Sequence, residues 1–161
     1  MDSTTFWRLI DASRRAGRGD VEEQAEALRL RLERLDPDEI VEFDRIFHEQ
    51  LAAAYSWDLW AAASIINGGC SDDGFEYFRC WLIAQGERVF QAALADPESL
   101  AGRAEPDVEA ESMLYAAAKA YESRTGAELP APIPRPNEPA GEPWDEDDLE
   151  ELYPKLWARF G

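Results

Sequence analysis

The chain has 161 residues, of which 45% are hydrophobic, and its 34 Asp and Glu against 16 Lys and Arg leave a net charge of −18. That length suits one domain with a real apolar core, and the apolar content is too high for a disordered chain. Such acidity argues against a reader of DNA, RNA or anionic membranes, all of which attract clustered Lys and Arg.

Helical spacing dominates from the start, and no segment alternates as a strand would. Phe6, Leu9, Ile10 and Ser13 share one face of a first helix that fades near Gly17-Arg18-Gly19. Val21, Ala25, Leu28, Leu32 and Leu35 then repeat at intervals of four and three, the narrow stripe of a helix packed on another. Asp36-Pro37-Asp38-Glu39 predicts the sharpest boundary: an N-cap Asp, a Pro at the first helical position and a Glu at the third. The helix it opens should bury Ile40, Phe43, Phe47, Leu51 and Ala54.

A further helix is expected from about Tyr55 through Leu59, Ala62 and Ile66, stopped by Asn67-Gly68-Gly69, where a left-handed C-terminal cap is easily made. Ser71 or Asp72 caps the next, with Phe75, Phe78 and Leu82 on one side and a break at Gly86. Asp96-Pro97-Glu98 starts a short turn or helix, and a long helix is expected from about Asp107 to Gly126. Pro130 to Pro143 holds six prolines and reads as an extended strap. Asp145 can cap a last helix whose Leu149, Leu152, Tyr153, Leu156, Trp157 and Phe160 need burial, with a kink at Pro154. The expectation is a single all-α domain over 1–161, a bundle of about six to eight helices. Residues 130–143 would strap it and a C-terminal helix within 144–161 would dock on it.

The opening residues lack a basic region followed by an apolar stretch, and no apolar run reaches the roughly 18 residues of a membrane helix. Cys70 and Cys80 are too few for a disulfide framework, so a cytoplasmic setting with reduced thiols is expected.

Several strings are more distinctive than composition: Phe6-Trp7-Arg8-Leu9-Ile10, Trp57-Asp58-Leu59-Trp60-Ala61-Ala62, Asn67 to Phe75, Phe78-Arg79 with Trp81-Leu82-Ile83, and Trp144-Asp145-Glu146-Asp147 with Leu152-Tyr153-Pro154. Together they resemble a bacterial family known only as domain of unknown function 4240, over nearly the whole chain. The resemblance implies a bacterial cytosolic domain and supplies no catalytic residue.

Chemistry is best sought in the loop from Asn67 to Phe75. Its helix start could bind an anion, or lower the pKa of Cys70, while Asp72 and Asp73 would oppose both. The plain alternative is a capped connection between two helices. Asp145, Asp147 and Asp148 could hold a divalent cation, without the spacing of an EF-hand loop. If folding joined Asp72 and Asp73 to them, five hard carboxylates could bind magnesium or manganese. Trp57 and Trp60 are core aromatics that could also line a pocket, and Arg79, on a largely apolar helix, wants a carboxylate such as Asp58 or Asp72. His48, the sole histidine, reads as a half-exposed helix position, with general-base chemistry as the alternative.

No catalytic motif of known spacing occurs. The leading expectation is therefore a binding or regulatory protein engaging a basic protein partner, in an immunity- or antitoxin-like role, with no cofactor. The rival is an enzyme using a carboxylate-held divalent metal or a reactive Cys70.

Overall fold

Asp2, Asp20, Ser56 and Ser71 each accept a hydrogen bond from a backbone N–H three residues on, and each opens a helix. These side chains satisfy donors that the first helical turn leaves unpaired. The computed structural model describes residues 1–161. Its helices are α1 (Ser3–Gly17), α2 (Val21–Leu32), α3 (Pro37–Ala53), α4 (Trp57–Asn67), α5 (Asp72–Ala84), α6 (Glu87–Ala95), α7 (Ala116–Thr125), α8 (Leu149–Leu152) and α9 (Pro154–Phe160). Three 3-10 segments, Pro97–Gly102, Glu111–Tyr115 and Glu146–Asp148, complete the order. The domain is all-α, with one isolated parallel bridge between Ser56 and Ala140.

The breaks fall where backbone chemistry puts them. Pro37 stands at the first turn of α3, and Glu39 reaches back to the Asp36 N–H at 3.4 Å, as a capping box does. Gly68 ends α4 in the left-handed region at φ 68°. Near the C-terminus, Pro154 cannot donate to the preceding turn, so the chain turns at Tyr153 and restarts as α9. Counting α8 and α9 as one broken helix leaves eight.

One apolar core runs through the molecule. Phe6, Phe43, Phe47, Phe75, Phe78 and Phe90 are its largest fully buried side chains. Helix α1 packs on α2, α2 and α3 pack on α7, and α9 lies on α4 and on the 3-10 turn Pro97–Gly102. The closeness of α1 and α2 depends on Gly17, where an added Cβ would lie 2.8 Å from the Gln24 backbone nitrogen. Gln24 itself is buried and donates to the Ala84 carbonyl at 2.9 Å, tying α2 to the end of α5.

The expected long helix from Asp107 is shorter than its apolar pattern suggests. Regular helix starts only at Ala116, because the residues before it are engaged elsewhere. The Asn67 side chain donates to the Val108 carbonyl and accepts from the Val108 N–H, at 3.0 and 3.1 Å. The Ala110 N–H goes to the Tyr77 carbonyl. Backbone groups held by tertiary partners cannot also pair along a helix.

The proline-rich segment runs against the bundle. The Ala140 N–H donates to the Tyr55 carbonyl and its carbonyl accepts from the Trp57 N–H. Trp144 Nε1 donates to the Trp57 carbonyl at 2.6 Å, and the Tyr153 hydroxyl to Asp58 at 2.6 Å. Beyond it Leu149, Tyr153 and Leu156 join the core, whereas Leu152 stays 53% exposed. The sequence had marked Leu152 for burial. The turn at Tyr153 ends the helical register that would have carried it inward.

Candidate functional site

Helix α5 starts at the Ser71 cap and carries Asp72, Asp73, Glu76 and Arg79 in its first two turns. Arg79 is buried to 6% exposure, yet it pairs with neither Asp58 nor Asp72, the partners its sequence context suggested. The two carboxylates are taken by phenols: Tyr153 donates to Asp58, and Tyr55 donates to Asp72 at 3.0 Å. Arg79 instead donates to backbone carbonyls, Nη1 to Leu51 at 2.7 Å and Nε to Phe75 at 3.4 Å. Its guanidinium carbon lies 4.6 Å from the ring centres of both Tyr55 and Phe75. Stacking on aromatic faces offsets part of the cost of burying the charge. Burial still holds its pKa below the ordinary arginine value, despite the opposing charge of Glu76.

Trp57 and Trp60 extend this stack. Their rings lie 5.4 Å apart and 9° from parallel, Trp60 stacks on Phe75 at 5.1 Å, and Trp144 meets Trp57 edge-on. Trp60 Nε1 also donates to the Cys70 carbonyl. The two tryptophans brace the loop and the proline-rich segment from behind.

Arg79 opens on a cavity of about 70 Å³, bounded by His48, Leu51 and Ala52 of α3, by Tyr55, by Asp72 and Glu76 of α5, and by Ile133–Pro136. Glu76 is clamped by both terminal nitrogens of Arg135, the second at 3.1 Å. The His48 side chain is 10% exposed, more buried than its sequence position suggested. Its Nδ1 lies 2.9 Å from the Asp44 carbonyl and 3.4 Å from the Asp44 carboxylate. Burial disfavours the charged ring, but the Asp44 hydrogen bonds and charge outweigh it and raise the His48 pKa. Arg135 opposes that rise.

The loop that the sequence favoured is chemically quieter. Cys70 is half-buried, and burial, helped by Asp72 and resisted by Arg79, pushes its thiol up to about 11. At neutral pH it is a thiol and not a thiolate. Ser71, not Asp72, is the cap of α5. Asp72 and Asp73 do not gather with Asp145, Asp147 and Asp148, since nowhere do three or more His, Cys, Asp or Glu side chains converge in a set able to hold a metal ion. Asp145 accepts the Asp147 N–H at 3.1 Å and thereby starts the 3-10 turn.

Every acid from Glu142 to Glu151 is exposed. The ion pairs of the molecule, among them Arg135–Glu76 and Arg159–Glu105, include none of them. No helix is long and apolar enough to cross a membrane.

The model of one family, described as "Protein of unknown function (DUF4240)", matches residues 1–123. The match includes His48, Tyr55, Asp72, Glu76 and Arg79 and stops before the proline-rich segment, so it is shorter than the near-complete resemblance read from the motifs. No curated protein and no solved structure matches the chain.

Proposed function

We propose that this chain, which belongs to the DUF4240 family of proteins of unknown function, is a cytoplasmic binding or regulatory protein that engages a basic protein partner. The surface that does so is the ridge from Glu142 to Leu152. One observation carries this reading: seven exposed carboxylates without an ion pair stand beside Leu152, a large apolar side chain 53% exposed. Like charges held close together repel, so apart from the capping Asp145 they do not contribute to holding the fold. They do raise the encounter rate with a basic surface, while an apolar centre within a charged rim gives such a contact its lifetime. An immunity- or antitoxin-like role fits the small size and acidity.

The test replaces Glu146, Asp147, Asp148 and Glu150 together by their amides and leaves the capping Asp145 intact. Cross-linking through the ridge in the native host identifies the partner, which is then purified for kinetics. The variant should keep its helical circular dichroism and its melting temperature. Its association with the partner should slow by roughly tenfold or more at low salt and lose most of its salt dependence. An unchanged rate and salt slope would overturn the proposal. So would unfolding of the variant, because the acids would then be structural.

A further inference from the structure

The cavity beside Arg79 contains an unbalanced set of polar groups. Of the five N–H donors of the guanidinium, Nε and one on Nη1 have carbonyl partners, and Nη2 has none. Two fully enclosed side-chain atoms in the molecule lack partners, Glu98 Oε1 and Ser112 Oγ, and Nη2 is not one of them. It therefore still touches open space, and the open space that Arg79 lines is this cavity. His48 adds a second such group: Nδ1 is taken up by Asp44, and Nε2, on a side chain nine-tenths buried, has no partner.

Geometry restricts how Arg79 can be met. Tyr55 and Phe75 pack on one side of the guanidinium, each ring centre 4.6 Å from Cζ and the two centres 5.8 Å apart. Carbonyls occupy Nε and one donor of Nη1, so the Nη2 edge is what remains for a ligand. In-plane, two-point contact is how a carboxylate pairs with arginine. The surroundings also limit the charge. Glu76 is neutralised by Arg135, and Asp72 accepts from Tyr55 but keeps its negative charge nearby. Asp72 repels any anion, a dianion such as phosphate about twice as strongly as a monoanion, so a single negative charge suits Arg79 better. Leu51, Ala52, Ile133 and Pro134 supply an apolar wall, and about 70 Å³, roughly two water volumes, takes a carboxylate head while a short aliphatic body lies along that wall toward the open mouth.

We propose that the cavity between α3, α5 and Ile133–Pro136 is a binding site for a short aliphatic monocarboxylate. Its carboxylate pairs edge-on with Arg79 and its alkyl group lies against Leu51, Ala52 and Ile133. The site is separate from the acidic ridge and does not depend on a partner binding there.

The full chain is titrated with butyrate, with butyramide as its uncharged counterpart and with inorganic phosphate. The readouts are nuclear magnetic resonance signals of the Arg79 side-chain N–H groups, the His48 ring and the Ile133 methyl groups. Butyrate should shift all three, saturating in the millimolar range as a single-headed small ligand does, and should raise the melting temperature. Butyramide and phosphate should leave them in place. Arg79→Lys should weaken butyrate by roughly tenfold or more, because an ammonium cannot make the planar two-point contact. Ala52→Leu fills the cavity from its partly exposed rim and leaves Arg79 itself unsubstituted, so it decides the matter even if the Arg79 variant fails to fold. It should abolish the shifts while keeping the fold. Equal responses to butyrate and butyramide, a stronger response to phosphate, no response to any probe, or an unaltered butyrate response in Ala52→Leu would each overturn the proposal.

Discussion

The body from α1 to α7 and the segment after it are held by different means. The body is stitched by apolar stripes: Phe6 and Ile10 on α1, Leu28 and Leu32 on α2, and Ile40, Phe43 and Phe47 on α3 are all essentially unexposed. From Leu129 to Trp144 there is little to bury. That stretch is held by discrete polar contacts, namely Arg135 to Glu76, the paired backbone bonds of Ala140, and Trp144 to the Trp57 carbonyl. Only past Asp148 does the chain return buried side chains to the core, at Leu149, Tyr153 and Leu156. A continuous apolar contact tolerates the loss of one member, whereas a point contact is made or broken whole. The segment is thus pinned at a few sites over a stable base, and the cavity lies where the two regimes meet.

The most severe way to break this comparison is to delete everything after Gly126. Three side chains leave the core, at roughly 1.5–3 kcal/mol for each fully buried one, so the loss should be on the order of 5 kcal/mol. Urea denaturation should show a much lower midpoint. A truncated chain that melts with its parent would mean that the segment only leans on the body.

A finer cut compares two leucines in adjoining short helices. Leu156, fully buried in α9, should cost about 2–5 kcal/mol on replacement by alanine. Leu152, 53% exposed in α8, should change stability by no more than about 0.5 kcal/mol. Equal losses from chemical denaturation would show that the turn at Tyr153 does not separate core from surface.

What was legible in the sequence was local. Asp36-Pro37-Asp38-Glu39 and Asn67-Gly68-Gly69 mark helix ends through contacts a few residues apart, and the apolar stripes of α1 to α3 need only a period. The cavity was not legible, because its parts come from α3, α5 and the proline-rich segment and share no spacing. Arg79 shows why. Its need for a counter-charge could be read from its apolar neighbours, but two tyrosine hydroxyls compete for Asp58 and Asp72, and sequence cannot rank such distant partners. His48 was misjudged for the same reason: Ile133–Pro136 line the cavity into which it faces, from far along the chain. The five carboxylates offered as a metal site form no such set, and Asp72 and Asp145 are engaged separately, the one by the Tyr55 hydroxyl and the other by the Asp147 N–H.

The smallest expected effect probes the joint between the two regions. His48 has a folded pKa above its ordinary value of 6.5, because Asp44 outweighs burial. A raised folded pKa means that the stability contributed by the His48–Asp44 pair is complete below the unfolded value. It is then lost as the pH climbs through the folded value. Melting temperature should therefore fall slightly over that window, and His48→Gln should remove this part of the fall. The groups facing the ring are Asp44 on its own helix, Asp72, Glu76 and Arg79 across the cavity from α5, Tyr55 beside them, and Arg135 from the proline-rich segment. Of these, Arg135 holds the pKa down, and it also occupies the charge of Glu76. Arg135→Gln removes a positive charge and releases a negative one, and both changes favour the protonated ring. A nuclear magnetic resonance titration of His48 should accordingly move to higher pH in Arg135→Gln and to lower pH in Asp44→Asn. A midpoint indifferent to Arg135 would mean that the proline-rich segment does not hold its charge at the cavity in solution. The cavity would then be bounded by the body alone.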